Sequence, residues 1–478
     1  MPQPRRHRDA RVAAKSQKRT DIALDLRKPR SRVRYTDVVE AIADAIESGR
    51  LTPNQRLPTQ RDLALRERIA VGTVSRAYAE AERLGLIVGE VGRGTFVSPV
   101  HSAEVPSPDV AARAVDLTIN RPPPQGALNA FRAALRSLAT SADLGRLLGH
   151  QPVPGMEHHR SAAAQWISGT GLVVEAGQVV VCNGVQHALS ALFGALARPG
   201  DVVLTEELNY PGIRLVGQLF GLRVHGLPMD AEGILPGAVE EASRTLGARF
   251  LFCTPTVQNP TAAVMSRRRR EDIAAVVKAQ DLTLIEDDIY GLLLRDRMLP
   301  VAALVPDRSF YVTGTSKCIA EGVRLGYVVA PPARVPQVIT AVQATTWMPS
   351  AVSGEIVSRW LQDGTAESIL QWHRDEAAER QALARKYLSA YRYTCHPVAY
   401  HIWLDLPEPW RSAQFVAQAR QRGVLIVPAE SFVIGRNPAP HAVRISLGGL
   451  DDRRAIDRGL RTIAALLSEP PLLAPIAV

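Results

Sequence analysis

Lys317 stands in the stretch TGTSKCIAEGVRLGYVV, residues 313–329, directly after Ser316 and ahead of a β-type run. Seven residues on comes a second cation, Arg324. Two cations buried together repel one another, so the pair asks for an anion. A desolvated lysine amine is also a nucleophile toward a carbonyl carbon, the chemistry of Schiff-base formation. Other chemically capable groups follow apolar runs in the same way. EDDIY after LTLI puts Asp287 at the end of a run, with Tyr290 three residues beyond, and TPTVQNPT after ARFLFC offers the amide of Asn259. NGVQHALSALFGAL after QVVVC is a tight turn that opens a helix at Val185 and Gln186, where unpaired N–H groups and the helix dipole favour an anion. LNYPG supplies Tyr210, a flat face for stacking.

Together these groups describe one ligand. A phosphate would satisfy the Val185–Gln186 turn, Ser316 and Arg324, and would remove the repulsion between the two cations. Asp287 would hold a protonated ring nitrogen, Tyr290 and Asn259 would hydrogen-bond a ring oxygen, and Tyr210 would stack on the ring. Lys317 then supplies the Schiff-base amine, and the ligand is pyridoxal 5′-phosphate.

The elements that must position these groups are legible too. QVVVCN, DVVLTE, ARFLFCTP, LTLIEDD and SFYVTG alternate with longer helical patterns. Continuous apolar strands between helices predict an α/β fold with a mostly parallel sheet covered on both faces, and ligands bind at the carboxyl ends of such strands. Asp287-x-x-Tyr290, Asn259-Pro260, Ser316-Lys317 and Lys317-x6-Arg324, in that set, resemble the fold-type I aminotransferases over residues 115–467. The resemblance implies that Arg444, in HAVRISLGG, clamps an α-carboxylate, a bidentate task suited to guanidinium. It also implies a dimer with each site at the subunit interface. Two positions depart from the pattern. In GHQPVPG, His150 stands where those enzymes carry a tyrosine that reaches the neighbouring subunit's phosphate. Gly314 replaces the usual Ser or Thr three residues before the lysine, so one phosphate hydroxyl is expected to be missing.

Ahead of this region the punctuation changes. Val38, Ile42 and Ile46 recur at helical spacing with Gly49 as a stop, and Thr59 with Asp62 three residues on marks the start of a second helix. Val74, Tyr78, Ala81 and Leu84 form the stripe of a third helix closed by Gly85, and LIVGEVGRGTFV reads as a hairpin. Three helices and a hairpin are the order of a winged helix-turn-helix. LPTQRDLA, TVSRAYAEAERLGLI and GRGTFV resemble the DNA-binding domain of the GntR family, which implies that Arg61, Thr73, Arg76 and, in the wing, Arg93 contact double-stranded DNA. Where that family often opens its recognition helix with Ser-Arg, this chain has Ala70-Val71, so a guanidinium contact is expected to be missing.

The totals bound the remaining possibilities. The 478 residues exceed one ordinary core. Of the net charge of +10, residues 1–34 carry twelve Lys or Arg against three Asp or Glu, a basic arm expected either to bind nucleic-acid phosphates non-specifically or to be a disordered solubilising tail. Residues 98–113 hold three prolines and no periodicity, and read as a linker. The expected organisation is thus an arm at 1–34, a winged helix at 35–97, the linker at 98–113 and an aminotransferase-like domain at 114–478. No apolar run suits a membrane span or a secretory signal, which leaves the cytoplasm, or the nucleoid when DNA is bound. Cys182, Cys253, Cys318 and Cys395 form no C-x-x-C pair, so neither a zinc site nor a disulfide framework is expected.

A GntR-type winged helix joined to an aminotransferase-like domain resembles the MocR group of bacterial regulators. That likeness implies a homodimeric, pyridoxal-phosphate-dependent transcription factor that senses an amino compound or the cofactor itself. The alternatives are a working aminotransferase with an attached DNA-binding module, and a cofactor-free dimerisation scaffold.

Overall fold

The computed structural model describes residues 33–47, 50–52, 55–83, 86–90, 94–97, 114–435 and 437–470. These fall into two compact units, 33–97 and 114–470. The residues of the expected arm up to 32 and the whole expected linker lie outside the described residues, as do Gly49, Leu84, Gly85 and Arg93.

The small unit is built from α1 (Tyr35–Glu47), α2 (Gln60–Glu67), α3 (Val71–Arg83), and the antiparallel hairpin of β1 (Ile87–Glu90) and β2 (Gly94–Val97). Val38 and Ile42 from α1, Leu63 from α2, and Val74, Ala77, Tyr78 and Ala81 from α3 bury one core against Ile87 and Val97. The α2 cap forms with a changed partner. The Thr59 hydroxyl accepts from the Asp62 backbone N–H at 3.2 Å, but the Asp62 carboxylate takes the Thr59 hydroxyl proton, at 2.8 Å, rather than a backbone N–H. Tyr78 donates to the Pro58 carbonyl at 2.8 Å, and Ser75 donates to Gln60 at 2.6 Å, so α3 is fixed against the start of α2.

The large unit begins with β3 (Val115–Asp116) and then lays down β4 (Val179–Cys182), β5 (Val202–Glu206) and β6 (Arg223–Leu227). A short hairpin, β7 (Met229–Asp230) and β8 (Gly233–Ile234), precedes β9 (Phe250–Cys253), β10 (Thr283–Asp287), β11 (Ser309–Gly314) and β12 (Gly326–Val329). Seven of these form one sheet in the order β4-β12-β11-β10-β9-β5-β6, parallel except for β12, which runs antiparallel to β11 and β4. Its central strands are buried throughout because alternate residues feed opposite faces. Val179, Val181, Tyr311 and Tyr327 enter one core, while Val180, Cys182, Phe310, Val312 and Val328 enter the other.

The chain then crosses a 24-residue helix, Thr365–Leu388, into β13 (Tyr393–Cys395), β14 (His401–Asp405), β15 (Val424–Leu425), β16 (Val427–Pro428) and β17 (Ala442–Ser446). An antiparallel sheet of order β13-β14-β17-β16 packs beneath the helix Arg453–Leu467. β3 pairs in parallel with β15. That pairing anchors the unit's first residues to its last subdomain, so the segment just after β3 is held where the sheets meet.

Candidate functional site

The apolar strands of the large sheet end together, and the polar residues that follow them line one cavity of about 280 Å³. Ser316 and Lys317 enter it after β11, Asp287 from the last position of β10 and Tyr290 after it, Asn259 after β9, and Val185 and Gln186 from the first turn of the helix Val185–Leu196. Tyr210, Arg324 and Arg444 complete the expected set, and Ile119, Asn120, Thr254, Ile289 and Glu321 also line it.

Of the three acids in Glu286-Asp287-Asp288, strand alternation gives only the middle one to the cavity. Glu286 accepts from the Val301 and Ala302 N–H groups at 3.2 and 2.6 Å, with Arg270 at 3.8 Å. Asp288 accepts from the Tyr311 hydroxyl at 2.8 Å. Asp287 is 6% exposed and accepts from the Ile289 N–H at 3.2 Å. Burial pushes its carboxyl up to about 7, opposed by Lys317. A cationic ring nitrogen beside it would add to the counter-charge that Lys317 supplies and favour the carboxylate.

The Lys317 amine donates to the backbone oxygen of Asn120. Burial lowers it to about 8, with Glu321 opposing as the largest charge effect. The amine is therefore substantially neutral, and so nucleophilic, slightly above neutral pH.

Asn120 is the residue that sequence reasoning missed. Its side-chain amide donates to the Tyr290 hydroxyl oxygen at 2.9 Å and sits 3.2 Å from His401 Nδ1. Burial drives His401 down to about 3, so the ring is neutral. With Nε2 3.2 Å from the Gln258 carbonyl, the consistent tautomer donates there and accepts from Asn120. Burial also raises the Tyr290 hydroxyl. It stays protonated, accepts from Asn120 and keeps its own proton to donate toward the cavity. A lone asparagine in TINRPPP gives no spacing signal. Its place follows from the long-range pairing of β3 with β15.

Arg444, on β17, donates to Asn259 Oδ1 at 3.0 Å and to the Thr118 carbonyl at 2.6 Å, and its guanidinium lies 4.8 Å from the centre of the Phe432 ring. Burial lowers it to about 10, which still leaves a cation at neutral pH. Its Nε is buried without a partner among the described residues, and the bond to Asn259 Oδ1 leaves that amide's N–H₂ free for another acceptor.

At the opposite end, a left-handed Gly184 (φ 85°) caps the helix whose first turn carries Val185 and Gln186. A Cβ on Gly184 would lie 3.0 Å from the Arg324 guanidinium, and one on Gly326 would lie 2.6 Å from the Gly184 carbonyl carbon. A Cβ on Gly314 would sit 2.7 Å from the Leu325 carbonyl oxygen. The expectation that Gly314 merely forfeits a hydroxyl is therefore incomplete, because backbone stacked on backbone leaves no space there for Ser or Thr. This close stacking brings Arg324 beside the helix N-terminus, two positive features around one anion position. His150 is exposed, does not line this cavity, and accepts a hydrogen bond from Trp347 at 3.2 Å. The donor set fits pyridoxal 5′-phosphate at each end: cations and N–H groups for a phosphate, a buried carboxylate for a ring nitrogen, and an amine between them.

In the small unit Arg61 is exposed on α2, and Thr73 is half-buried in the first turn of α3. The Arg76 guanidinium lies over the Tyr35 ring at 4.2 Å from its centre, so this cation also packs α3 on α1.

Comparison with known proteins agrees with both halves. Residues 112–463 match the family model for aminotransferase class I and II, and residues 34–97 match that for bacterial regulatory proteins of the gntR family. The HTH-type transcriptional regulator YdeF of Bacillus subtilis is 27% identical over 448 residues, 90% of this chain and 95% of YdeF. The HTH-type pyridoxine biosynthesis transcriptional regulator PdxR of Corynebacterium glutamicum is 29% identical over 65% of this chain and 68% of its own. Among solved structures, the kynurenine aminotransferase of Pyrococcus horikoshii superposes with a TM-score of 0.70 at 23% identity, covering 76% of this chain and 93% of that one. LysN, the α-aminoadipate aminotransferase of Thermus thermophilus, superposes with a TM-score of 0.67 at 24% identity, over 75% and 93%. The chain belongs to the aminotransferase class I and II family and joins that fold to a gntR-family DNA-binding region, the pairing that marks a MocR-type regulator.

Proposed function

We propose that this protein is a pyridoxal-phosphate-dependent transcriptional regulator whose large unit senses an amino compound, or the cofactor itself, and whose winged helix binds double-stranded DNA. The observation that carries the reading is the joint presence of Lys317, Asp287, Arg324 and Arg444 around one cavity in a chain that also has a gntR-family region. Of these, Asp287 and Arg444 are buried and Lys317 is half-buried, and a bare scaffold has no use for buried charges, each of which costs several kcal/mol of desolvation unless something compensates it.

Pyridoxal 5′-phosphate, when bound, supplies an electrophilic carbon for a primary amine. The residues do the rest. Lys317 offers an amine of which about half is neutral near pH 8. Asp287 holds a proton on the ring nitrogen, Tyr290 donates to a ring oxygen, and Asn259 adds a second donor. Arg324, Ser316 and the helix N-terminus bind phosphate, and Tyr210 lies against the ring. Arg444 selects amines that carry a carboxylate. In a homodimer His150 would serve the neighbouring subunit's site. Arg61, Thr73, Arg76 and Arg93 are the DNA contacts. An effector regulates DNA binding only to the extent that it prefers one of two arrangements of the protein.

The test is an absorption spectrum of the purified, cofactor-loaded protein titrated with amino acids and amines, without a keto-acid acceptor, over hours. A band shift that reverses on dialysis supports a sensor. Conversion to the pyridoxamine form with release of a keto acid would make the large unit an enzyme instead.

A further inference from the structure

The first turn of α3 carries two features that the small unit's own packing does not require. Val71, its first residue, is 46% exposed, and among the described residues of this unit only Leu65 on α2 is a comparably exposed large apolar side chain. Gly72 follows. A Cβ there would meet nothing within 4 Å, and its backbone is not left-handed, so no internal contact and no backbone conformation calls for glycine. A glycine inside a helix costs about 1 kcal/mol relative to alanine. A bare backbone beside an exposed valine suits close approach by something outside the unit. The buried stripe of Val74, Ala77, Tyr78 and Ala81, with the Ser75–Gln60 bond, fixes the direction in which this turn points.

In a helix-turn-helix the amino-terminal residues of the recognition helix meet base edges in the major groove. Of the groups displayed there, the thymine 5-methyl is the apolar one. From Val71 and Gly72 we infer that this protein reads a thymine methyl at the operator position faced by the start of α3. Val71 packs on the methyl, and Gly72 lets the helix backbone come close enough for that contact. The preference is hydrophobic and carries no formal charge, so it adds sequence discrimination without adding to the salt dependence of binding.

The inference rests on the DNA-binding reading, and its test separates the two. Binding sites are selected from random duplexes with the full chain, and the best site is remade with each thymine in turn replaced by deoxyuracil, which removes only the methyl. One position per half-site should lose about fourfold in affinity, the worth of one buried methyl group. The Val71→Ala protein should bind the thymine and uracil duplexes there alike, while Leu65→Ala should keep the difference. Retention of the wild-type fold by each variant is checked by circular dichroism. Full indifference to uracil at every position, or a methyl effect that survives in Val71→Ala, overturns the inference while leaving DNA binding intact. Failure to select any sequence overturns the DNA-binding reading and the inference with it.

Discussion

The cavity of the large unit and the reading face of the small one handle charge in opposite ways. Asp287 and Arg444 are 6% and 7% exposed, and burial displaces the proton affinity of both. Arg61 and Arg76 stand on an exposed surface. Buried charges are few, held by named bonds such as Arg444 to Asn259 and Thr118, and suited to fixing a small molecule in one orientation. Exposed cations suit a long polyanion, where each contact adds a small, salt-screened increment. Single substitutions should therefore act abruptly in one unit and gradually in the other.

The largest effect falls at Lys317. Lys317→Ala should abolish the covalent cofactor band completely, and an unchanged spectrum would remove the lysine from the site. Next comes Asp287→Asn, which keeps shape and removes charge. Cofactor affinity should fall about a hundredfold or more, the cost of breaking a buried charge pair, as read by equilibrium dialysis. At the exposed face Arg61→Ala should leave cofactor binding untouched and lower the slope of log affinity for DNA against log salt by about one. A smaller loss is expected at Gly314→Ser. The hydroxyl it supplies is outweighed by the crowding against Leu325, so the variant should be less stable by about 1–3 kcal/mol in thermal or denaturant unfolding.

The subtlest test is pH dependence without cofactor. Asp287 has a folded value of about 7, above its unfolded value of 3.8, so the folded state keeps a proton that the unfolded state releases. Its contribution to stability is full below about 3.8 and is lost as pH rises toward 7. In Asp287→Asn that part of the profile should flatten, and cofactor loading should flatten it too.

What was legible in the sequence follows the distinction between local and distant. The five apolar runs named from sequence are all strands of the main sheet, because strands buried on both faces need unbroken apolar runs. β6 escaped because it lies at the sheet edge and only one of its five residues is buried. The reversed direction of β12 leaves no trace in GYVV. Most of the groups expected around Lys317 line one cavity because they stand at or just after the end of a main-sheet strand or at the start of a helix, whereas Arg444 and His401 come from the second sheet and Asn120 from the segment after β3. The glycine stack at 184, 314 and 326 is likewise a matter of three dimensions. Gly314 looked like a missing hydroxyl and proved to be a place with no space for a side chain.

The central claim is that the cavity and the winged helix are energetically coupled. Its most direct test is fluorescence anisotropy of a selected operator duplex titrated with cofactor-loaded protein, with and without a saturating amine that shifts the absorption band. The account predicts a change in DNA affinity of about fivefold or more, and an equal change in amine affinity when DNA is present, because linkage is reciprocal. Identical DNA affinity with and without every band-shifting amine would contradict it.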